Sequence, residues 1–143
     1  MDVFDSLKIS SSALRAQQLR LNTISSNLAN VETTRTPEGG PYRKREVVFQ
    51  STDQPFARQL EQSLKGSVQG VEVSEIRTSE VPPKIVYNPS HPDADADGNV
   101  AMPNINVLDE MVDMTSATRA YEANVTAIKA AKRMALKALE IGR

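Results

Sequence analysis

Apolar side chains recur in steps of four and three near both ends of the chain and lose that rhythm between them. Val3, Leu7, Ser10, Leu14, Gln17, Leu21, Ile24, Leu28 and Val31 follow the seven-residue pattern, with Ser10 and Gln17 as its polar members. Val107, Met111, Met114, Thr118, Tyr121, Val125, Ile128, Lys132, Ala135 and Leu139 follow it again. This spacing places a narrow stripe on a helix, the width of a coiled-coil seam rather than of a broad globular face. Helix breakers respect the same division. Residues 3–31 and 104–141 hold neither Gly nor Pro, whereas residues 32–103 hold all 8 Pro and 5 of the 6 Gly. The pattern predicts a long helix over 4–31, a central module, and a second long helix over 105–141.

The predicted helices are about 42 and 55 Å long at ~1.5 Å per residue, whereas a ball of this mass is roughly 35 Å across. They must therefore pair with each other. The expected fold is mainly α: the segments 1–31 and 104–143 pair as an antiparallel coiled coil, one discontinuous assembly domain, around an irregular, β-rich insert at 32–103. Asp2 and Asp5 favour the start of the first helix; Asn104 or Asn106, then Asp109, Glu110 and Asp113, favour the start of the second. Lys129, Lys132, Arg133, Lys137 and Arg143 suit its end. The seam residues are Leu7, Leu14, Leu21, Ile24, Leu28 and Val31 on one helix, and Met111, Met114, Tyr121, Val125, Ile128 and Leu139 on the other. Two readings fit this pattern: a helical hairpin in a monomer, or helices completed only by assembly. Narrow stripes flanked by small Ala and Ser positions favour assembly.

In the middle, Tyr42–Gln50, Val68–Arg77 and Pro83–Tyr87 read as strands. Phe56, Leu60 and Leu64 suggest a short helix, and Gly39-Gly40-Pro41 a turn. Arg43-Lys44-Arg45 reads as an exposed strand edge. Asp93-Ala94-Asp95-Ala96-Asp97-Gly98 matches the start of a calcium loop, but Asn104 stands where the bidentate Glu belongs and prolines block an entering helix. The expected structure is a polar turn rather than a cation site.

Composition removes most chemistry. The 143 residues include no Cys, no Trp and a single His, His91. Thiolate nucleophiles, zinc-thiolate sites and paired imidazoles are excluded. No phosphate-binding glycine loop or nucleophile motif occurs. The 17 basic and 18 acidic residues give a net charge of −1, with no footprint for nucleic acid. Asp109, Glu110 and Asp113 are expected as solvated first-turn acids. Nothing points to an enzyme, a cofactor, a metal or a small-molecule substrate. No secretory signal or membrane span is expected.

The run Ile24-Ser25-Ser26-Asn27-Leu28-Ala29-Asn30-Val31-Glu32-Thr33-Thr34 resembles the N-terminal signature of bacterial flagellar axial proteins, the rod, hook and hook-associated family. Its motif residues here are Asn27, Leu28, Ala29, Asn30 and Thr33. Physically it reads as a helix exit in which Asn27 and Asn30 offer amides to the last carbonyls. The longer stretch to Tyr42-Arg43 and the runs Pro89 to Asp95, Met102 to Val107, Glu110 to Met114 and Ser116 to Val125 are similar to proximal rod subunits of that family. The resemblance implies a structural subunit that stacks helically into the hollow rod of the basal body, the drive shaft between membrane ring and hook. It implies terminal helices that order on assembly and line an export channel. The implied partners are further copies, other proximal and distal rod subunits, the membrane ring with its rod adaptor, and the flagellar type III export apparatus. The implied location is the periplasmic part of the basal body, reached without a cleaved signal. Residues 51–67 carry no recognisable motif, and their role is open. A soluble coiled-coil adaptor unrelated to flagella is the competing class.

Overall fold

A computed structural model describes residues 3–51 and 69–141. The element order is α1 (Val3–Ala29), β1 (Arg45–Ser51), β2 (Val71–Thr78), β3 (Lys84–Tyr87), β4 (Asn99–Met102) and α2 (Val107–Ile141). The two long terminal helices and a small β module between them agree with the sequence pattern. The predicted helix at Phe56–Leu64 lies outside the described residues.

Asn106 caps α2, its Oδ1 accepting from the Leu108 N–H at 3.1 Å, with Asp109 and Glu110 in the first turn. The final turn holds no base, because Lys137 falls one turn earlier. At the other exit, α1 stops at Ala29, two residues before the predicted end. The Asn30 side-chain amide donates to the Ser26 carbonyl at 2.8 Å, and Asn30 Oδ1 accepts from the Thr33 hydroxyl at 3.1 Å. Val31 consequently sits in the turn beyond the helix, half-buried, rather than on the helical stripe.

α1 packs against α2 along one side and against β1 and β2 along another. Two cross-links fix the helix direction: Arg20 meets Asp113 at 3.0 Å, and Asn27 meets Glu110 at 3.0 Å. Numbers rise on α1 as they fall on α2, so the helices run oppositely.

The buried face of α2 runs through Glu110, Met114, Ala117, Tyr121, Asn124, Ile128, Ala131 and Ala135. It shares Met114, Tyr121, Ile128 and Ala135 with the predicted stripe. At the alternate steps it takes the residue one place earlier: Glu110 for Met111, Ala117 for Thr118, Asn124 for Val125 and Ala131 for Lys132. Met111 and Leu139 are exposed, the latter at 71%, and Val125 is half-buried. The reason is steric. Ala117, at 0% exposure, and Ala131 let α1 approach closely where larger side chains would hold it away. On α1, Ala16 and Ile24 are buried, while Leu7, Leu14, Leu21 and Leu28 are half-buried. The small residues expected on the flanks for neighbouring subunits thus line the chain's own helix pair.

The β module consists of two separate two-stranded antiparallel sheets. β1 pairs with β2 from Arg45↔Thr78 to Ser51↔Val71, with a register shift between Val48 and Phe49. β3 and β4 form a hairpin from Lys84↔Met102 to Tyr87↔Asn99. β4 escaped the sequence reading because four residues between Gly98 and Pro103 are too short to show alternation. The acidic run is the polar turn at its tip. Asp95 Oδ1 accepts from the N–H groups of Asp97 at 3.0 Å and Asn99 at 2.9 Å. Gly98 has φ +76°, and an added Cβ would stand 3.0 Å from the Tyr87 ring. Thr34 donates to Asp93 at 2.7 Å, tying the hairpin to the exit from α1.

Among the described residues Phe4, Ile85, Leu108, Val112, Met134 and Leu139 all stand exposed. Much apolar surface is left for something else to cover.

Candidate functional site: the helix junction

The sequence offers no catalytic group, and among the described residues no cluster of acids or His is placed to hold a metal ion. The most closely organised polar group lies where α1, β1 and α2 meet. Its centre is Asn27, 1% exposed, in the last turn of α1. Its Oδ1 accepts from the Arg45 N–H at 2.9 Å and from the Tyr42 hydroxyl at 3.0 Å. Its Nδ2 donates to the Arg45 carbonyl at 2.8 Å and to Glu110 Oε2 at 3.0 Å. Both donors and both lone pairs of the amide are used. The pair of bonds to Arg45 is what a neighbouring strand would make, so Asn27 serves as a one-residue strand partner at the start of β1. Ser26 completes the cluster, its hydroxyl lying 3.3 Å from that of Tyr42.

Glu110 is also 1% exposed. Its Oε1 stands 3.0 Å from Lys44 Nζ, in an ion pair whose angle departs from that of a good hydrogen bond. Lys44 stands 3.4 Å from Glu46 as well. Burial, the largest influence on Lys44, disfavours its charge; Glu110 and Glu46 together outweigh it and hold its pKa above the ordinary 10.5. The Arg45 guanidinium lies over the Tyr42 ring, 5.8 Å from its centroid. A cleft of about 320 Å³ opens beside the cluster, lined in part by Arg20, Phe49 and Asp113.

This arrangement binds backbone to side chains and one helix to the other; it moves no proton and holds no reactant. It corrects three expectations. Glu110 is a buried hub, not a solvated cap, and Asp113 pairs with Arg20. Lys44 tucks inward from the basic run, which leaves Arg43 and Arg45 exposed. Of the two signature amides, Asn30 alone serves the last carbonyls of α1, while Asn27 reaches across to β1 and α2. A signal for Glu110 did exist: it lies seven residues before Ala117 and twenty-one before Ala131, in phase with the small face.

The structure places the other motif residues around this centre. Thr33 accepts through its carbonyl from the Tyr42 N–H at 3.0 Å, which closes the turn region onto α1. Leu28 is half-buried and Ala29 exposed. The seam positions Met111 and Leu139 are not brought into the intramolecular contact.

The comparisons with known proteins agree with this layout. Residues 7–35, which contain Asn27 and Asn30, match a family model described as flagella basal body rod protein. Residues 96–141, which contain Glu110 and α2, match one described as flagellar basal body rod FlgEFG protein C-terminal. The flagellar basal-body rod protein FlgC of Bacillus subtilis is 47% identical, with 100% of each chain covered. That of Borreliella burgdorferi is 44% identical over 99% of this chain and 98% of its own. That of Salmonella typhimurium is 42% identical over 100% and 98%. With identity this high over nearly the full length of both partners, the chain belongs to the FlgC family of flagellar basal-body rod proteins.

Proposed function

We propose that the chain is a structural subunit of the flagellar basal-body rod that polymerises through its terminal helices. It is not an enzyme; its family is one of structural rod proteins. Residues 1–31 and 104–143 act as one assembly domain, and residues 32–103 as a module carried on it. The helices pair in coiled-coil fashion along a seam that takes Leu14, Leu21, Ile24 and Leu28 from the first helix and Tyr121, Val125 and Ile128 from the second. Neighbouring subunits, whether copies of this chain or other proximal and distal rod proteins, cover the rest. The product is a hollow shaft in the periplasm that carries torque from the membrane ring, through its rod adaptor, to the hook. The subunit reaches it through the flagellar type III export apparatus without a cleaved signal. Among the described residues no helix is long and apolar enough to cross a membrane, in keeping with a subunit held by protein contacts.

One observation carries this reading: a helix pair buried on its small face and bare on its large apolar one. Such a pair gains ~25 cal/mol for each Å² of apolar surface that a neighbour covers. Packed helices are also stiff, as a torque-bearing wall requires. The competing adaptor reading has no support among the relatives. The test is Leu21→Asp, which puts a charge into the half-buried seam at a cost of several kcal/mol. Cells relying on it should lose swimming and yield no rods; normal swimming would sink the seam assignment.

A further inference from the structure

Helix α2 offers α1 two faces. The one in use runs through Glu110, Ala117, Asn124 and Ala131. The other takes the next residue at each of these steps: Met111, Thr118, Val125 and Lys132. Met114, Tyr121, Ile128 and Ala135 belong to both. Successive residues stand ~100° apart around a helix and half of the positions are shared, so a roll of α2 by roughly 50° about its axis exchanges one face for the other.

Apolar burial alone favours the face that is not in use. A roll would bring Met111, now 53% exposed, and the half-buried Val125 onto α1. Lys132 would keep its ammonium in water by laying its apolar stem along the contact. The face in use instead buries a carboxylate, Glu110, to 1% exposure. A charge that deep is tolerated only with partners. Asn27 Nδ2 donates to it at 3.0 Å, and Lys44 Nζ stands 3.0 Å away. Asn27 is itself held by the Arg45 backbone and the Tyr42 hydroxyl, so the grip on Glu110 comes from outside the helix that would roll. The Arg20–Asp113 pair is partly exposed and resists little. Ala117 and Ala131, at 0% and 4% exposure, permit the close approach of the helices, but alanine offers too little area to outweigh Met and Val.

We propose that the Asn27–Glu110–Lys44 cluster is a rotational lock: it holds α2 on its small face against the pull of its larger apolar one. With the lock formed, Met111 points outward beside Leu108 and Val112, in one groove with them. With the lock broken, α2 rolls, Met111 and Val125 turn onto α1, and the chain hides within itself part of the surface it otherwise presents. Selecting one alignment among apolar alternatives, at a cost in stability, is the best-attested use of buried polar groups between helices. The inference goes beyond the rod reading and does not depend on it, because the lock acts within one subunit.

The chain contains no Cys, so a single introduced Cys reports on either face. Thr118 is exposed, on the face not in use; Ala131 is 4% exposed, on the face in use. Maleimide labelling rates of Thr118→Cys and of Ala131→Cys are measured on the purified full chain, with and without the pair Asn27→Leu and Lys44→Met, which leaves Glu110 without partners. The expected result is a crossing: labelling slows about tenfold at position 118 and quickens about tenfold at position 131 as the population shifts. Quickening at both positions, in a chain that keeps its helical circular dichroism, means that the helices have parted rather than rolled and overturns the lock. Unchanged rates overturn it as well. If the pair of substitutions unfolds the chain, Lys44→Met alone decides. It should move the two rates in the same opposite directions by about threefold, and parallel or absent changes overturn the proposal. None of these outcomes touches the rod reading, which Leu21→Asp and swimming test.

Discussion

The two ends of α2 solve opposite problems. Its first turns are anchored within the subunit through Glu110, which Asn27 and Lys44 engage from one helix and from the lead into a strand. Its last turns carry three large exposed apolar side chains and a surplus of positive charge. The same helix thus begins with one face anchored in the folded unit and another left bare, and ends exposed throughout residues 136–140. The difference shows that a subunit can fix its own geometry with polar bonds and reserve its hydrophobic free energy for neighbours. Polar bonds suit the first task because they are directional. Apolar area suits the second because its gain scales with the surface covered, whatever the detail of the contact.

The sharpest way to break the contrast is Asn27→Ala. It strips four hydrogen bonds from a buried site and leaves Glu110 with one fewer donor, so the cost should be about 3 kcal/mol or more. Urea unfolding followed by circular dichroism is expected to show a markedly lower midpoint, and an unchanged midpoint would remove the junction's structural role. Next comes Lys44→Met, which leaves a buried carboxylate without its cation; breaking such pairs costs about 3–5 kcal/mol. Adding Glu110→Gln to that variant should recover a good part of the loss, as a double-mutant cycle would reveal.

Gly98→Ala tests the hairpin tip away from both ends. The positive φ and the 3.0 Å approach to Tyr87 should cost about 1–2 kcal/mol without altering helix content. The smallest effect concerns pH. Because the folded pKa of Lys44 is raised, its contribution is fully present below the ordinary value of 10.5. It is lost as pH rises through the higher folded value. Stability measured across that alkaline window should fall, and the fall should flatten in Glu110→Gln. At the far end, Leu139→Asp should leave the urea midpoint where it was and still abolish swimming.

The helices were legible because their signal is composition: long stretches free of Gly and Pro with a seven-residue beat. The face they bury was legible only in part. Met114, Tyr121 and Ile128 are common to the predicted and observed stripes. Ala117 and Ala131 were passed over because apolar patterns weight large side chains, whereas close helix contact selects small ones. The junction escaped for a related reason. A Glu in the first turn of a helix normally faces water, and nothing local announces that Asn27 and Lys44 will surround it from positions 83 and 66 residues away. The motif stretch around Asn27 was visible as a resemblance, but the role of its central amide needed the strand that crosses it.

Asn27 grips two parts of the molecule with one flat amide, and that has a mechanical consequence. Slippage of α1 along its axis by a single residue, about 1.5 Å, strains all four bonds together. There is no intermediate seat for the amide, because strand and carboxylate are read by the same few atoms. Under twist or thrust the junction therefore behaves as a notch: shear between the terminal helices and the β module is resisted by four bonds at one point.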